Sequence, residues 1–367
     1  MNQEIERYLA SIAKGVKLGE GAAGIKRVLV ELHRKGNASI HDLANTTRLP
    51  PPVISLVLTK LSSDGLVHRD ESGVRFTEKG MKYVETEMGI WSLSTVSCDA
   101  CDGTGYELDP GKRHSRLFER LEAIVTSRPD ADVTVDQAKC TIETLLRRLL
   151  LLHTWHAFDG NSILFLGDDD FVSAAACAPE FTEDYFITDP AIVTKPFNVT
   201  VLDIDPRITR SISELASKML SRNLSTVTRD VRKPLPAELR NRFDVVFTDP
   251  PYTMNGCKLF LSRAIDALKK EAGSRVFLSF GHVSPDTMRE IQSLIVQSGL
   301  VIEASFPSFN RYEGGNIIGN MSQMLVLGST RDVRPVIRSE DEFTDELYTA
   351  NQATNANDIG AEKKKED

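Results

Sequence analysis

Four acid-bearing segments hold the residues with the clearest chemical capacity: Gly167-Asp168-Asp169-Asp170-Phe171, Asp203-Ile204-Asp205-Pro206, Asp230-Val231 and Asp249-Pro250-Pro251-Tyr252-Thr253. Each follows an apolar, strand-like run, so each is expected at the carboxyl end of a strand, where parallel sheets bind ligands. Asp203 is placed to accept hydrogen bonds from both ribose hydroxyls of a nucleoside. Asp205, just ahead of Pro206, suits the N-cap of the following helix better. Asp230 can accept from an adenine amino group while the Val231 amide donates to a ring nitrogen. In the DPPY segment, Pro250 and Pro251 fix the backbone and remove two donors. Asp249 is thereby aimed at an amine nucleophile, and Tyr252 at a base or a cation. The combination implies an amine attacking an adenosyl sulfonium.

The segment at Gly167 departs from a methyltransferase. S-adenosylmethionine enzymes place a glycine-rich loop there, whose amides favour the methionine carboxylate. Three consecutive aspartates would instead repel a second anion by about 1 to 4 kcal/mol per close pair. A donor without the carboxylate, decarboxylated S-adenosylmethionine, escapes that repulsion and offers an ammonium that the acids attract. One aspartate can cap the helix starting near Phe171, but three are more than a cap needs. Asp168, Asp169, Asp170 and Asp249 are therefore the candidate catalytic acids. Gly167, Asp203, Asp230 and Val231 are the candidate donor-binding residues.

These segments need a doubly wound sheet to hold them. Strands are expected at Ser162–Leu166, Asn198–Leu202, around Val227, at Asp244–Thr248, Arg275–Ser279, Val301–Phe306 and Met321–Leu327. Helices lie between them, at Ile208–Arg222, Cys257–Lys270 and Ser284–Gly299. The fold class is α/β: an N-terminal winged helix-turn-helix domain (1–91), a linker (92–133) and a Rossmann-like domain resembling class I methyltransferases (134–338). A disordered acidic tail (339–367) follows. The linker holds Cys98-Asp-Ala-Cys101, half of a zinc ribbon; with no second CxxC in the sequence, a buried reduced pair is the simpler reading. Helices are expected at Arg113–Ser127 and from Val135 to about His156. Asn310-Arg311-Tyr312-Glu313-Gly314-Gly315 reads as a loop over the site or a surface hairpin. There Glu313 would hold an ammonium, and Tyr312, with Tyr252, would face a cationic product.

Composition narrows the class. The 367 residues carry a net charge of -8, and nine acids against three lysines after Arg338 account for -6 of it. The body is therefore nearly neutral. The second helix of the helix-turn-helix offers Pro51, Pro52, Ser55, Thr59 and Lys60 outward, with nothing suited to base edges, so no nucleic-acid partner is expected. No apolar run spans a bilayer, the N-terminus lacks an export pattern, and five cysteines form no disulfide scaffold. A cytoplasmic protein that forms a homodimer is expected.

Together DQAKCTIETLLRR (136–148), FLGDDDFVSAA (165–175), DIDP (203–206), FDVVFTDPPYT (243–253) and CDACDGTGY (98–106) resemble the branched-chain polyamine synthases, aminopropyltransferases of thermophilic archaea and bacteria. The resemblance covers nearly the whole chain, winged helix and acidic tail included. It implies two successive aminopropyl transfers from decarboxylated S-adenosylmethionine to the central nitrogen of spermidine, with methylthioadenosine released each time and no tightly bound cofactor. It places a GDDD aspartate beside the attacking nitrogen, taken here as Asp169, with Asp249 as the second acid. By resemblance alone, Gln137 and Glu143, on the helix before the sheet, close the donor pocket. The competing readings are an amino-methyltransferase acting on a nucleic-acid base and a regulator that senses a nucleoside.

Overall fold

A computed structural model describes residues 3–47, 49–90, 115–155, 157–158, 161–181, 197–219, 221, 223–270, 273–313 and 320–349. Cys98 and Cys101 lie outside the described residues, as do 314–319 and 350–367. The chain forms two compact units. The first contains helices Gln3–Gly15, Gly21–Lys35, Ile40–Thr47 and Pro51–Ser63, then an antiparallel pair, β1 (Val67–Asp70) and β2 (Gly73–Phe76). Leu29, Leu32, Val57, Leu58 and Leu61 fill its core at helical spacing. Ser39 Oγ accepts from the Asp42 amide at 3.0 Å and so caps the third helix. A further helix starts at Glu78 and widens into a π-turn at Tyr83–Glu87.

The second unit is built on a seven-stranded sheet. Its strands are β3 (Ser162–Leu166), β4 (Asn198–Asp203), β5 (Leu224–Thr228), β6 (Val245–Thr248), β7 (Arg275–Gly281), β8 (Leu300–Arg311) and β9 (Met321–Ser329), in the order β5-β4-β3-β6-β7-β9-β8. The first five are parallel, and β9 runs antiparallel to β7. Central strands such as β6 are buried at every position, which explains their unbroken apolar runs. Chain order reverses at β3, which pairs with β4 on one side and β6 on the other. The crevice for a ligand therefore opens beyond the carboxyl ends of these strands.

Two expectations are corrected. The helix predicted from Val135 begins at Ile142, where Thr141 Oγ1 accepts from the Thr144 amide. Asp136, at φ 59°, turns the chain out of helical geometry first, so Gln137 lies on an irregular segment. The tail is also ordered further than its charge suggests: Phe343 and Leu347 are buried, and the chain stays docked as far as Thr349. Two apolar side chains and a set of backbone hydrogen bonds hold it despite the surrounding acids.

Candidate active site

Gly167, Asp169, Asp203, Val231, Asp249, Pro250, Tyr252 and Tyr312 converge on one cavity beyond β3, β4 and β6; Gln137 reaches it from the segment before the sheet. Gly167 has φ +75°, a turn that other residues resist, and its amide donates to the Leu202 carbonyl at 2.8 Å. The turn separates the three aspartates. Asp168 is buried and folds back onto the helix Val172–Ala176, accepting from the Val172 and Ser173 amides at 2.8 and 3.1 Å. Burial nevertheless pushes its pKa up to about 8. Asp170 is buried on the opposite side, accepting from Arg128 at 3.3 Å, Arg148 at 2.5 Å and the Cys140 amide at 2.6 Å. Only Asp169 of the three faces the cavity. The expectation that all three aspartates meet the ligand is thus corrected: two serve the scaffold.

Asp169 is a lone acid in an acidic setting. Among the described residues its hydrogen-bond partner is the Ala138 amide at 3.2 Å, and no arginine or lysine is paired with it. Burial, then the charges of Asp170, Asp203 and Asp249, hold its carboxyl well above the usual carboxylate range. A cation entering the cavity relieves this repulsion, so the site is built to attract one.

Asp249 lines the same cavity and already accepts three hydrogen bonds from the protein. Tyr252 donates to Oδ1 at 2.9 Å; Tyr312 and Arg148 both donate to Oδ2 at 2.6 Å. Burial and the Asp249 charge push both tyrosine hydroxyls well up, so they keep their protons and remain donors. The guanidinium of Arg148 is fully buried and also reaches Asn310 at 2.8 Å. The DPPYT turn is tied to the next helix by Thr253, whose Oγ1 accepts from the Gly256 amide at 2.9 Å. Any side chain at Gly256 would place its Cβ 2.2 Å from the Pro251 carbonyl oxygen, so glycine allows the two prolines to pack there.

Elsewhere in the cavity lining, Asp203 is oriented by the Asp168 and Asp205 amides at 2.9 and 2.8 Å. Asp205 caps the helix Pro206–Lys218, accepting from the Arg207 amide at 2.8 Å, and is held by Gln137 at 3.2 Å. Val231 lines the cavity but Asp230 does not; burial raises its carboxyl, yet hydrogen bonds from Arg232 outweigh this and hold it below the usual range. Glu143 and Glu313 are exposed and outside the cavity lining. Asn310 and Arg311 belong to β8 and Tyr312 is buried, so this part of the expected loop is strand and core.

The family description "Branched-chain polyamine synthase A C-terminal domain" matches residues 116–366. The chain belongs to this family. Among its relatives, an N(4)-bis(aminopropyl)spermidine synthase of Thermus thermophilus is 33% identical over 326 residues, 88% of this chain and 86% of the relative. One from Methanocaldococcus jannaschii is 33% identical over 265 residues, 72% of this chain and 70% of the relative. The branched-chain polyamine synthase of Thermus thermophilus, solved in complex with N4-aminopropylspermidine and 5′-methylthioadenosine, shares the fold. It matches with a TM-score of 0.76 at 24% identity, over 95% of this chain and 98% of that one.

Within this family fold, sequence reasoning missed Arg128, Arg148, Asp136 and Tyr348. Arg148 had a legible signal, because it interrupts the apolar stripe of Leu145, Leu149 and Leu152 on a buried helix. Asp136 and Tyr348 line the cavity from irregular segments without any such signal.

Proposed function

We propose that this cavity transfers aminopropyl groups from decarboxylated S-adenosylmethionine to the central secondary amine of spermidine, twice, giving N(4)-bis(aminopropyl)spermidine and methylthioadenosine. The observation that carries the reading is Asp169, an acid with no cationic partner among the described residues, facing a cavity that Asp203 and Val231 also line. Wholly cationic reactants suit this site; a donor bearing a carboxylate does not.

An aliphatic amine with a pKa of about 10 is neutral roughly one time in a thousand at pH 7, so reaching the nucleophilic form costs about 4 kcal/mol. The two terminal ammoniums of spermidine lower this cost at the central nitrogen. Asp169, its own basicity raised by its surroundings, accepts the proton. The nitrogen lone pair then attacks the methylene next to sulfur, and the C–S bond breaks with its electrons left on sulfur, neutralising the sulfonium. The second transfer starts from a tertiary amine and ends at a quaternary ammonium, which the rings of Tyr252 and Tyr312 can face. Asp249, already bonded to Arg148, holds these tyrosines and adds negative potential rather than taking the proton.

Mass spectrometry of products from spermidine and the decarboxylated donor tests the reading. Two added aminopropyl groups are expected. Methylation of a nucleic-acid base with the carboxylate-bearing donor, and no reaction with spermidine, would replace it with the amino-methyltransferase. No described helix is long and apolar enough to cross a membrane, and a cytoplasmic homodimer belongs to the same reading. The helices and β1–β2 pair of the first unit support a winged helix that packs rather than reads DNA. Arg69 of β1 donates to Ser55 O at 3.4 Å and Thr59 Oγ1 at 3.1 Å, so this arginine is bonded to the helix that would meet bases.

A further inference from the structure

Arg148 is buried and does not line the cavity, yet it is bonded to one acid behind the wall, one acid in it and one of its tyrosines. Its Nη1 donates to Asp170 at 2.5 Å; its Nη2 donates to Asp249 at 2.6 Å and to the Tyr312 hydroxyl at 3.0 Å. Nε donates to Asn310 Oδ1 at 2.8 Å, and Asn310 in turn donates to Ser279 Oγ at 3.2 Å and Ser322 Oγ at 2.8 Å. The guanidinium also lies 5.3 Å from the centroid of the Phe247 ring of β6. One side chain of the helix Ile142–Thr154 therefore joins the turn after β3, the turn after β6 and β8, in fixed directions that a lysine ammonium cannot reproduce. Asp170 has a second arginine, Arg128, whereas Arg148 is the one cation bonded to Asp249 among the described residues.

The same cation acts on Asp169 without touching it. Burial, then Asp170, Asp203 and Asp249, push the Asp169 carboxyl up, and Arg148 opposes them. At Asp249 burial again pushes the carboxyl up and Arg148 is the largest influence against it. Asp136, Tyr252, Tyr312 and Tyr348 are the other titratable groups lining the cavity. Asp168, Asp205 and Arg128 are bonded to Asp203 or Asp170 without lining it.

We propose that Arg148 is the positioning residue for the amine acceptor: it sets the directions of Asp249 and Tyr312 and, through Asp170, the turn that aims Asp169 at the attacking nitrogen; this rests on the transfer reading above. The test uses the full chain, with steady-state kinetics in spermidine and calorimetric binding of 5′-methylthioadenosine. Arg148→Met is expected to lower kcat about a hundredfold and raise spermidine KM about tenfold. The methylthioadenosine Kd should stay within about threefold, because no hydrogen bond of Arg148 reaches Asp203 or Val231. With the cation gone, the remaining acids take up a proton at higher pH, so the acid limb of kcat should move up by about one unit. A proton on Asp169 blocks the base, and one on Asp249 removes the charge that the two tyrosines hold. Arg148→Lys restores the charge without the fork: the acid limb should return to the parental position while spermidine KM stays raised severalfold. A folded Arg148→Met enzyme with the parental acid limb and spermidine KM overturns the proposal. So does one whose methylthioadenosine Kd rises as steeply as its spermidine KM, the mark of a general loosening. If Arg148→Met fails to fold, Arg148→Lys decides, and a parental spermidine KM there overturns the proposal while the reaction stands. A parent protein that binds methylthioadenosine but transfers nothing to spermidine removes the transfer reading and the role of Arg148 together.

Discussion

After β3 the chain commits two carboxylates to its own scaffold, Asp168 to helix amides and Asp170 to two arginines, and turns Asp169 into the cavity without a cation. After β6 the single carboxylate of Asp249 meets the same cavity already bonded to Arg148, Tyr252 and Tyr312. Both segments are acidic, both sit at strand ends, and both feel burial. What separates them is the supply of donors: Asp249 gives up its lone pairs to the protein, whereas Asp169 keeps them for a ligand. The chemistry of an acid-rich mouth therefore follows from which carboxylates are already satisfied rather than from how many there are.

The largest expected effect breaks the comparison at Asp169. Asp169→Asn removes the proton acceptor, and kcat should fall by about a thousandfold, within the usual range for a positioned general base, while methylthioadenosine affinity changes only a few-fold. The same substitution removes a half-buried acid repelled by Asp170, Asp203 and Asp249, so urea unfolding should show stability unchanged or raised by about 1 kcal/mol. A nearly unchanged kcat takes the base role away from Asp169.

Asp249→Asn should move stability the other way. It leaves the buried Arg148 without one of its two carboxylates and breaks a paired charge, at a cost of about 3 kcal/mol in the same unfolding assay. The contrast between the two variants, one acid harmful to the fold and one needed by it, is the sharper form of the comparison. If both variants destabilise equally, Asp249 is no more structural than Asp169.

Much of the sheet was legible because buried parallel strands write continuous apolar runs; β3 is found at the predicted Ser162–Leu166. The cap at Asp205 was legible too, from a proline at the first helical position. The direction of each GDDD side chain was not, since the left-handed turns at Gly167 and Phe171 decide it and sequence gives no dihedral angle. The ordered stretch as far as Thr349 escaped notice for a different reason. Its hold comes mostly from backbone carbonyls meeting Arg263, Thr253 and Asn255, and main-chain acceptors look the same in every sequence.

The smallest effect concerns Asp168, where two influences oppose each other. Helix amides favour its charged form, and burial favours the neutral one; burial prevails, with the pKa pushed up to about 8. The unfolded chain releases this proton near the ordinary carboxylate value, so between about pH 4 and pH 8 the native state holds more protons. Native stability from this group therefore falls as pH rises through that window and levels off above it. Asp168→Asn cannot titrate. It should be less stable than the parent by about 1 kcal/mol at pH 5, where one cap acceptor is lost, and the gap should close or reverse by pH 8. Urea titrations at the two pH values read it directly. A gap that widens with pH instead would mean that the helix amides win and that Asp168 is a charged cap, leaving the two ends of the GDDD segment alike.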